Sequence, residues 1–520
     1  MPLFLGLDIG TSGAKAIVCD GDGQIVAMAL AEYPISSPQP LWSEQHPSDW
    51  WQGAQQAIRD VVGAVDASQI MGIGLTGQMH GSVFLDADNQ VIRPALLWND
   101  QRTAAECSEI PQRIGAKYRD YSQAADNQEP HAWIEGARRL IEIAGNPALT
   151  GFQAPKILWV RNHEPANFAR IAHIMLPKDY IRLLLSGVYA TDAADAAGTL
   201  LIDLTSRDYS DEILAALEIK REWLPTVYEG PSITSHLKAD VAATLGLTAG
   251  IPIIAGGGDN AAAAIGTGII KSGVVNSSIG TSGVVFAHSD NIALDPKGRL
   301  HTFCHSVPGA WHMMAVTLSA GGAFGWLRNT LRQTGASDLS YDDLTAAAAN
   351  VPAGAEGLIF LPYLSGERTP HLDPLARGAF VGLTTRHGIG HMARAVMEGV
   401  TFSLRDGIEI MRELGVPTTD VRATGGGGKS PLWRQMQANI YNAPVSTLAA
   451  EEGPAYGAAL LAGVGTGHFA DVNDAVSRCV RVVATTQPDP AMVAKYDQIY
   501  AIYRTMYSHL SADMHALAQI

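Results

Sequence analysis

Two short stretches of the chain carry the same four residues in the same setting. Residues 7–15 read Leu-Asp-Ile-Gly-Thr-Ser-Gly-Ala-Lys and residues 277–285 read Ser-Ser-Ile-Gly-Thr-Ser-Gly-Val-Val, each a Gly-Thr-Ser-Gly turn between strand-like runs. Such a turn exposes consecutive backbone N–H groups and two hydroxyls, and its glycines let an anion come close to the backbone. One copy alone reads as an ordinary tight hairpin. Two copies, starting at Gly10 and Gly280 and so roughly half the chain apart, favour a duplicated design in which two hairpins face each other and grip a nucleotide triphosphate.

Carboxylates stand beside these loops. Asp8 lies within an apolar strand, two residues before the first turn, where an unpaired charge is expensive. Either turn N–H groups satisfy it or it is directed at a Mg²⁺-bound phosphate, with the metal reached through water. Asp259 follows Ile-Pro-Ile-Ile-Ala-Gly-Gly-Gly and precedes an alanine-rich helix. It reads equally as a helix N-cap and as a base that accepts a proton from a substrate hydroxyl at the carboxyl end of a strand.

Further along, Gln78-Met79-His80-Gly81 and Trp98-Asn99-Asp100 follow strand-like runs. They read either as hydrogen-bonded loop residues or as a sugar pocket, with Trp98 stacking and His80 and Asn99 bonding hydroxyls. The run Ala423 to Ser430 ends in Gly-Lys-Ser and is one residue short of a P-loop. Pro431 follows at once and no acidic strand accompanies it, so a glycine platform under adenine and ribose is the favoured reading. His301, His305 and His312 match no metal-binding spacing, and His301 and His305 are read as structural residues on one strand face.

These groups need strands and helices to hold them. Strand patterns at residues 4–10, 14–30 and 70–78, with an Asp22-Gly23 turn and a helix capped by Ser48, predict one α/β unit. Strand patterns from Ile251, at 274–280, 283–289 and 310–318, with a long helix over 391–414, predict a second. The expected division is 1–247 and 248–520. Two units fit 520 residues, for which about three domains are admissible.

Composition narrows the function. With 47% hydrophobic and 17% charged residues the chain is globular, and a net charge of −15 repels nucleic acid and anionic membranes. Cys19, Cys107, Cys304 and Cys479 form no CxxC pair, which suits a reducing compartment. Without a signal-peptide pattern or a run long enough to span a membrane, the expected location is cytoplasmic.

Together, LDIGTSGAK, WSEQHPSDWW, GQMHG, RPALLWNDQR, LPKDYIRL, AGGGDNAA, SIGTSG, FLPYLSGERTPH and GGGGKSPLWRQM resemble the FGGY carbohydrate kinases over nearly the whole chain, its xylulose-phosphorylating branch most closely. The signature starting at Gly378 matches throughout. The one around GFQAPKILWVRNH departs at Gln153, where the family has Pro, Ser or Thr. The resemblance implies a two-domain, actin-like (ribonuclease H-like) α/β fold with an interdomain cleft, and transfer of phosphate from MgATP to D-xylulose at its 5-hydroxyl. It implies Asp259 as catalytic base and Asp8 beside the phosphates and Mg²⁺. Met79, His80 and Asn260 correspond to sugar contacts. Thr11 and Ser12 belong to the first phosphate loop, Gly280 and Thr281 to the second, and Gly426 and Gly427 to the adenosine motif. Pro431 replaces an asparagine near adenine, Lys429 has no P-loop role, and a homodimer is implied. Ribulose, a deoxyketose or a polyol as substrate, and a non-sugar actin-like ATPase, remain the alternatives.

Overall fold

The computed structural model describes residues 1–118, 125–335, 338–450 and 453–520. Two mixed sheets form its frame. The first has six strands in the order Ile233–His236, Pro252–Gly258, Ile70–Gly77, Leu3–Ile9, Gly13–Asp20 and Ile25–Glu32. The second has seven, in the order His301–Cys304, Trp311–Thr317, Gly283–Ser289, Gly273–Ile279, Thr418–Thr424, Val445–Leu448 and Val482–Thr486.

The duplication expected from the two turns extends to topology. In each sheet the strand leading into Gly-Thr-Ser-Gly pairs antiparallel with the strand leaving it, and that strand pairs antiparallel with another. On its other side the leading strand pairs parallel, Leu3–Ile9 with Ile70–Gly77 and Gly273–Ile279 with Thr418–Thr424. Both hairpins therefore project from the middle of a sheet, at the carboxyl ends of its parallel strands, where α/β folds bind ligands.

The expected division at residue 247 is corrected. Pro252–Gly258 pairs parallel with Ile70–Gly77 and belongs to the first sheet. The sheets change over between the helix Asp259–Thr267 and the strand Gly273–Ile279. The chain also returns: the helix Gly453–Gly465 lies against the first sheet, so close that a Cβ on Gly6 or Gly74 would fall 1.9 Å from a carbonyl of Ala455 or Ala458. It crosses Asp259–Thr267 with equal intimacy, a Cβ on Gly457 falling 1.8 Å from Ala262 O. These two alanine- and glycine-rich helices lock the halves together beneath the cleft.

Helix Pro47–Val62 buries Trp50, Ala54, Ala57, Ile58 and Val61 on the first sheet. Its cap is His46 rather than Ser48, whose own N–H donates to His46 Nδ1. The predicted long helix runs from Ile389 to Glu413 and is buried along most of its length against the second sheet. Among the described residues no helix is long and apolar enough to cross a membrane.

Candidate active site

Asp259 is set by three glycines. Gly256 has φ +83°, and a Cβ there would lie 1.7 Å from Leu75 O. On Gly257 and Gly258 it would meet Ser306 Oγ at 2.1 Å and Met79 Cγ at 2.8 Å. Only glycine lets the strand bend here under the Met79 loop, and the bend delivers Asp259 as the first residue of its helix. It is not the cap. Its Oδ1 accepts from Asn260 N at 2.7 Å and Asn260 Nδ2 at 2.8 Å, which leaves Oδ2 without a hydrogen bond toward the cleft. Burial raises the Asp259 carboxyl to about 6, against the pull of these bonds. A buried carboxylate whose pKa is raised and which keeps one free oxygen has the chemistry a general base needs.

Burial first, then the Asp259 charge, push the Asp8 carboxyl up to about 7, with Lys15 opposing. Its Oδ1 is buried and has no hydrogen-bond partner. An orphaned carboxylate oxygen beside the Gly-Thr-Ser-Gly turn has the chemistry to hold a hydrated Mg²⁺.

The first turn is braced from below. Gly10 O accepts from Tyr33 OH at 2.6 Å, and Thr11 O from Gln45 Nε2 at 2.7 Å. Thr11 Oγ1 donates to Gln78 Oε1 at 3.2 Å and accepts from Trp98 Nε1 at 3.0 Å. Ser12 is exposed, as are Gly280, Thr281 and Ser282 of the second turn. In the second turn the carbonyls of Gly280 and Thr281 accept from Gly321 N and Gly322 N, at 2.8 and 3.0 Å, at the start of helix Gly321–Arg332. Beside it opens a cavity of about 490 Å³ lined by Gly280, Thr281, Gly426, Gly427, Pro431 and the apolar Phe324. A Cβ on Gly427 would lie 2.6 Å from Ile279 Cβ, so this glycine shelf packs directly on the strand before the second turn. Lys429 lines the same cavity, at the end of the short helix Gly425–Lys429 that directly follows strand Thr418–Thr424.

A second cavity, about 190 Å³, lies between the halves, with Asp259, Asn260, Met79, His80 and Trp98 in its wall. His80 has φ +68° and is held there by Lys156, whose Nζ donates to His80 O at 2.9 Å and Gly151 O at 2.6 Å. His80 Nδ1 lies 2.6 Å from Gly198 O and must donate to it, so Nε2 keeps its lone pair. Burial drives His80 down to about 3, so the ring is neutral at physiological pH. Gln153, the departure from the family pattern, is buried beneath this loop and donates to Gly81 O at 3.0 Å and Met175 O at 3.2 Å.

Asn99 is not brought into this cavity. It is exposed and lines a surface groove with Gln39 and Gln101. Conversely, the second sheet supplies walls absent from the expected set, His301, Phe303, Met314 and Val316, and the loop after the separate strand Ile359–Leu361 supplies Arg368. His301, set aside as structural, is thereby corrected. A histidine amid buried strand residues gives no local signal of lining a cleft, whereas an arginine in the turn-rich Ser-Gly-Glu-Arg-Thr-Pro after an apolar strand was a readable one.

Duplicated α/β halves, each lending a Gly-Thr-Ser-Gly hairpin, and a free carboxylate above a cavity sized for a small polyhydroxy compound define a phosphotransferase. Comparison with known proteins agrees. Residues 3–266 match the N-terminal domain of the FGGY family of carbohydrate kinases and residues 275–466 its C-terminal domain. The chain is 39% identical over 509 residues to a xylulose kinase of Escherichia coli, covering 98% of this chain and 99% of that one. A crystal structure of a xyloylose kinase from Brucella ovis superposes with a TM-score of 0.86 at 36% identity, covering 98% of this chain and 99% of that one. Ligand-bound xylulose kinase from Lactobacillus acidophilus gives 0.89 at 28%, covering 99% and 100%. The chain belongs to the FGGY family of carbohydrate kinases and is an ATP-dependent sugar kinase.

Proposed function

We propose that this enzyme phosphorylates D-xylulose at its 5-hydroxyl, giving D-xylulose 5-phosphate. The observation that carries the reading is the free Oδ2 of Asp259, raised to about 6, in the wall of a cavity with Met79 and the neutral His80. Xylulose kinases of matching length and fold supply the choice of sugar. The sugar lies on Met79 and Trp98, with His80 Nε2 accepting from a hydroxyl. ATP lies along Gly426 and Gly427, its phosphates between the Thr11–Ser12 and Gly280–Thr281 turns. Pro431 packs where the family has an adenine-binding asparagine, so adenine is held by shape and by Phe324.

Asp259 takes the 5-hydroxyl proton as that oxygen bonds to the γ-phosphorus and the bond to the ADP oxygen breaks in line. Asn260 steadies the carboxylate through Oδ1. Asp8 would hold Mg²⁺ through water, and Mg²⁺ when bound neutralises charge on the phosphates. Backbone N–H groups of both turns stabilise the same charge without reorganising.

The test is a panel of pentuloses, hexuloses, polyols and sugar acids with MgATP, reading ADP release and the position of the new phosphate. D-xylulose is expected to give the highest kcat/KM and the 5-phosphate. A higher kcat/KM for another sugar, or ATP turnover that no sugar stimulates, would contradict the assignment.

A further inference from the structure

Arg368 is a cation without a partner. Its guanidinium makes no hydrogen bond or ion pair among the described residues, yet it is half-buried and lines the cavity that holds Asp259 and His80. A desolvated guanidinium with five idle donors is costly unless something else occupies them.

Its carrier loop is rigid. Glu367, next to it, accepts from Thr317 Oγ1 at 2.6 Å and Leu318 N at 3.0 Å, and pairs its backbone with Asp373 in both directions. On the other side Thr369 N donates to Val316 O at 3.0 Å. Across the cleft Arg368 Nη2 lies beside Gly151, 3.7 Å from where a Cβ on it would stand. The loop is thus pinned to strand Trp311–Thr317 and points its guanidinium at the opposite wall.

Arg368, His80 and His301 share this cavity, and the Arg368 charge adds to burial in keeping both imidazoles neutral. His80 and His301 both pack against Phe152 and Phe303. Asn146 Nδ2 donates to Ala144 O and Thr302 O, so Asn146 Oδ1 must accept from His301 Nδ1 at 2.8 Å, and His301 Nε2 is left as an acceptor. This cluster then offers two imidazole lone pairs, suited to hydroxyls, and one strong donor group, suited to an oxygen that can only accept.

An open-chain ketose has one such oxygen. A 2-ketopentose closes its furanose ring through O5, so a sugar presenting a free 5-hydroxyl to Asp259 is open-chain, with its C2 carbonyl exposed. We propose that Arg368 donates to this C2 carbonyl oxygen, with His301 accepting from the C1 hydroxyl, and that Arg368 makes the enzyme select 2-ketoses over the corresponding polyols. The inference rests on the pentulose reading above.

The experiment measures dissociation constants by calorimetry for D-xylulose and xylitol, which differ only at C2, on wild-type and Arg368→Met protein, with Arg368→Lys as the charge-retaining variant. Loss of a charged donor to a buried acceptor is expected to weaken D-xylulose about 10- to 100-fold in Arg368→Met. Xylitol should change less than about threefold, and Arg368→Lys should fall between, having lost the fork but kept a donor. Equal weakening of both ligands, as from a distorted cavity, or unchanged D-xylulose binding would overturn the proposal. So would wild-type preference for D-xylonate over D-xylulose, which would make Arg368 a carboxylate receptor. Wild-type protein that neither binds nor phosphorylates any pentulose would refute the underlying function instead.

Discussion

The ionisation of Asp259 sets a limit that Asn260 should move. Two bonds converge on Asp259 Oδ1, one from the backbone N–H of Asn260 and one from its Nδ2 at 2.8 Å. Replacing Asn260 by Ala keeps the first and removes the second. A hydrogen bond to a charged acceptor is worth about 1.5–3 kcal/mol, and water entering the space returns part of it, so a net loss near 1.4 kcal/mol is expected. That corresponds to about one pH unit. Burial holds this carboxyl at about 6 in the native protein, so the acid limb of kcat/KM for the sugar should shift from there toward about 7 in Asn260→Ala. Because the ionised form is the active one, activity is lost as pH falls. At pH 6 the native base is about half ionised and the variant's about one-tenth, a roughly fivefold deficit that closes above pH 8. The assay is kcat/KM for sugar at saturating MgATP across pH 5–9. Asn260 also lines the cavity, so KM changes at every pH; the position of the limb is the diagnostic. An unmoved limb would refute the claim that this carboxylate is the group titrating in catalysis.

Asp8→Asn should abolish most turnover yet stabilise the ligand-free protein at pH 8. The folded chain holds the Asp8 proton up to about 7 against an ordinary 3.8, so its ionised form costs stability that grows as pH rises through that window. A gain of roughly 1–3 kcal/mol is expected at pH 8 and little at pH 4, read by thermal or urea unfolding. His80→Ala should raise the sugar KM about 10- to 100-fold, leave the ATP KM within about threefold, and show the same ratio from pH 6 to 9, since the ring is already neutral there. Gly256→Ala should cost more than about 3 kcal/mol, because its Cβ would overlap Leu75 O at 1.7 Å. Gly250→Ala, at φ +82° with nothing within 4 Å, should cost only about 1–2 kcal/mol of backbone strain, and equal melting temperatures for the two would contradict the packing described.

The parts of the site that the sequence revealed are local. Gly-Thr-Ser-Gly carries its turn chemistry within four residues, and Gly-Gly-Gly-Asp-Asn carries both the bend and the carboxylate it delivers. What stayed hidden depends on distant pairing. Pro252–Gly258 reads as the opening strand of a second unit, because nothing in its residues tells that its partner is Ile70–Gly77. Gly453–Gly465 looks like any small-residue helix until Gly6 and Gly74 admit it onto the first sheet. His301 and Arg368 join Met79 and His80 only when the two halves close on one cavity. Asn99 errs the other way: it neighbours Trp98, but the turn carries the two side chains to different surfaces. Gln153, an oddity against the family pattern, gains its meaning from Gly81 O, which lies far from it in sequence.

The central claim is that Asp259 accepts the hydroxyl proton during phosphoryl transfer. Asp259→Asn preserves shape and removes the base, and rapid-quench single-turnover kinetics at saturating MgATP and D-xylulose isolate the chemical step. Both ligands should bind within about threefold of native, the chemical step should slow about 10²- to 10⁴-fold, and the acid limb near pH 6 should be lost. A single-turnover rate within tenfold of native, with the limb intact, would contradict that claim.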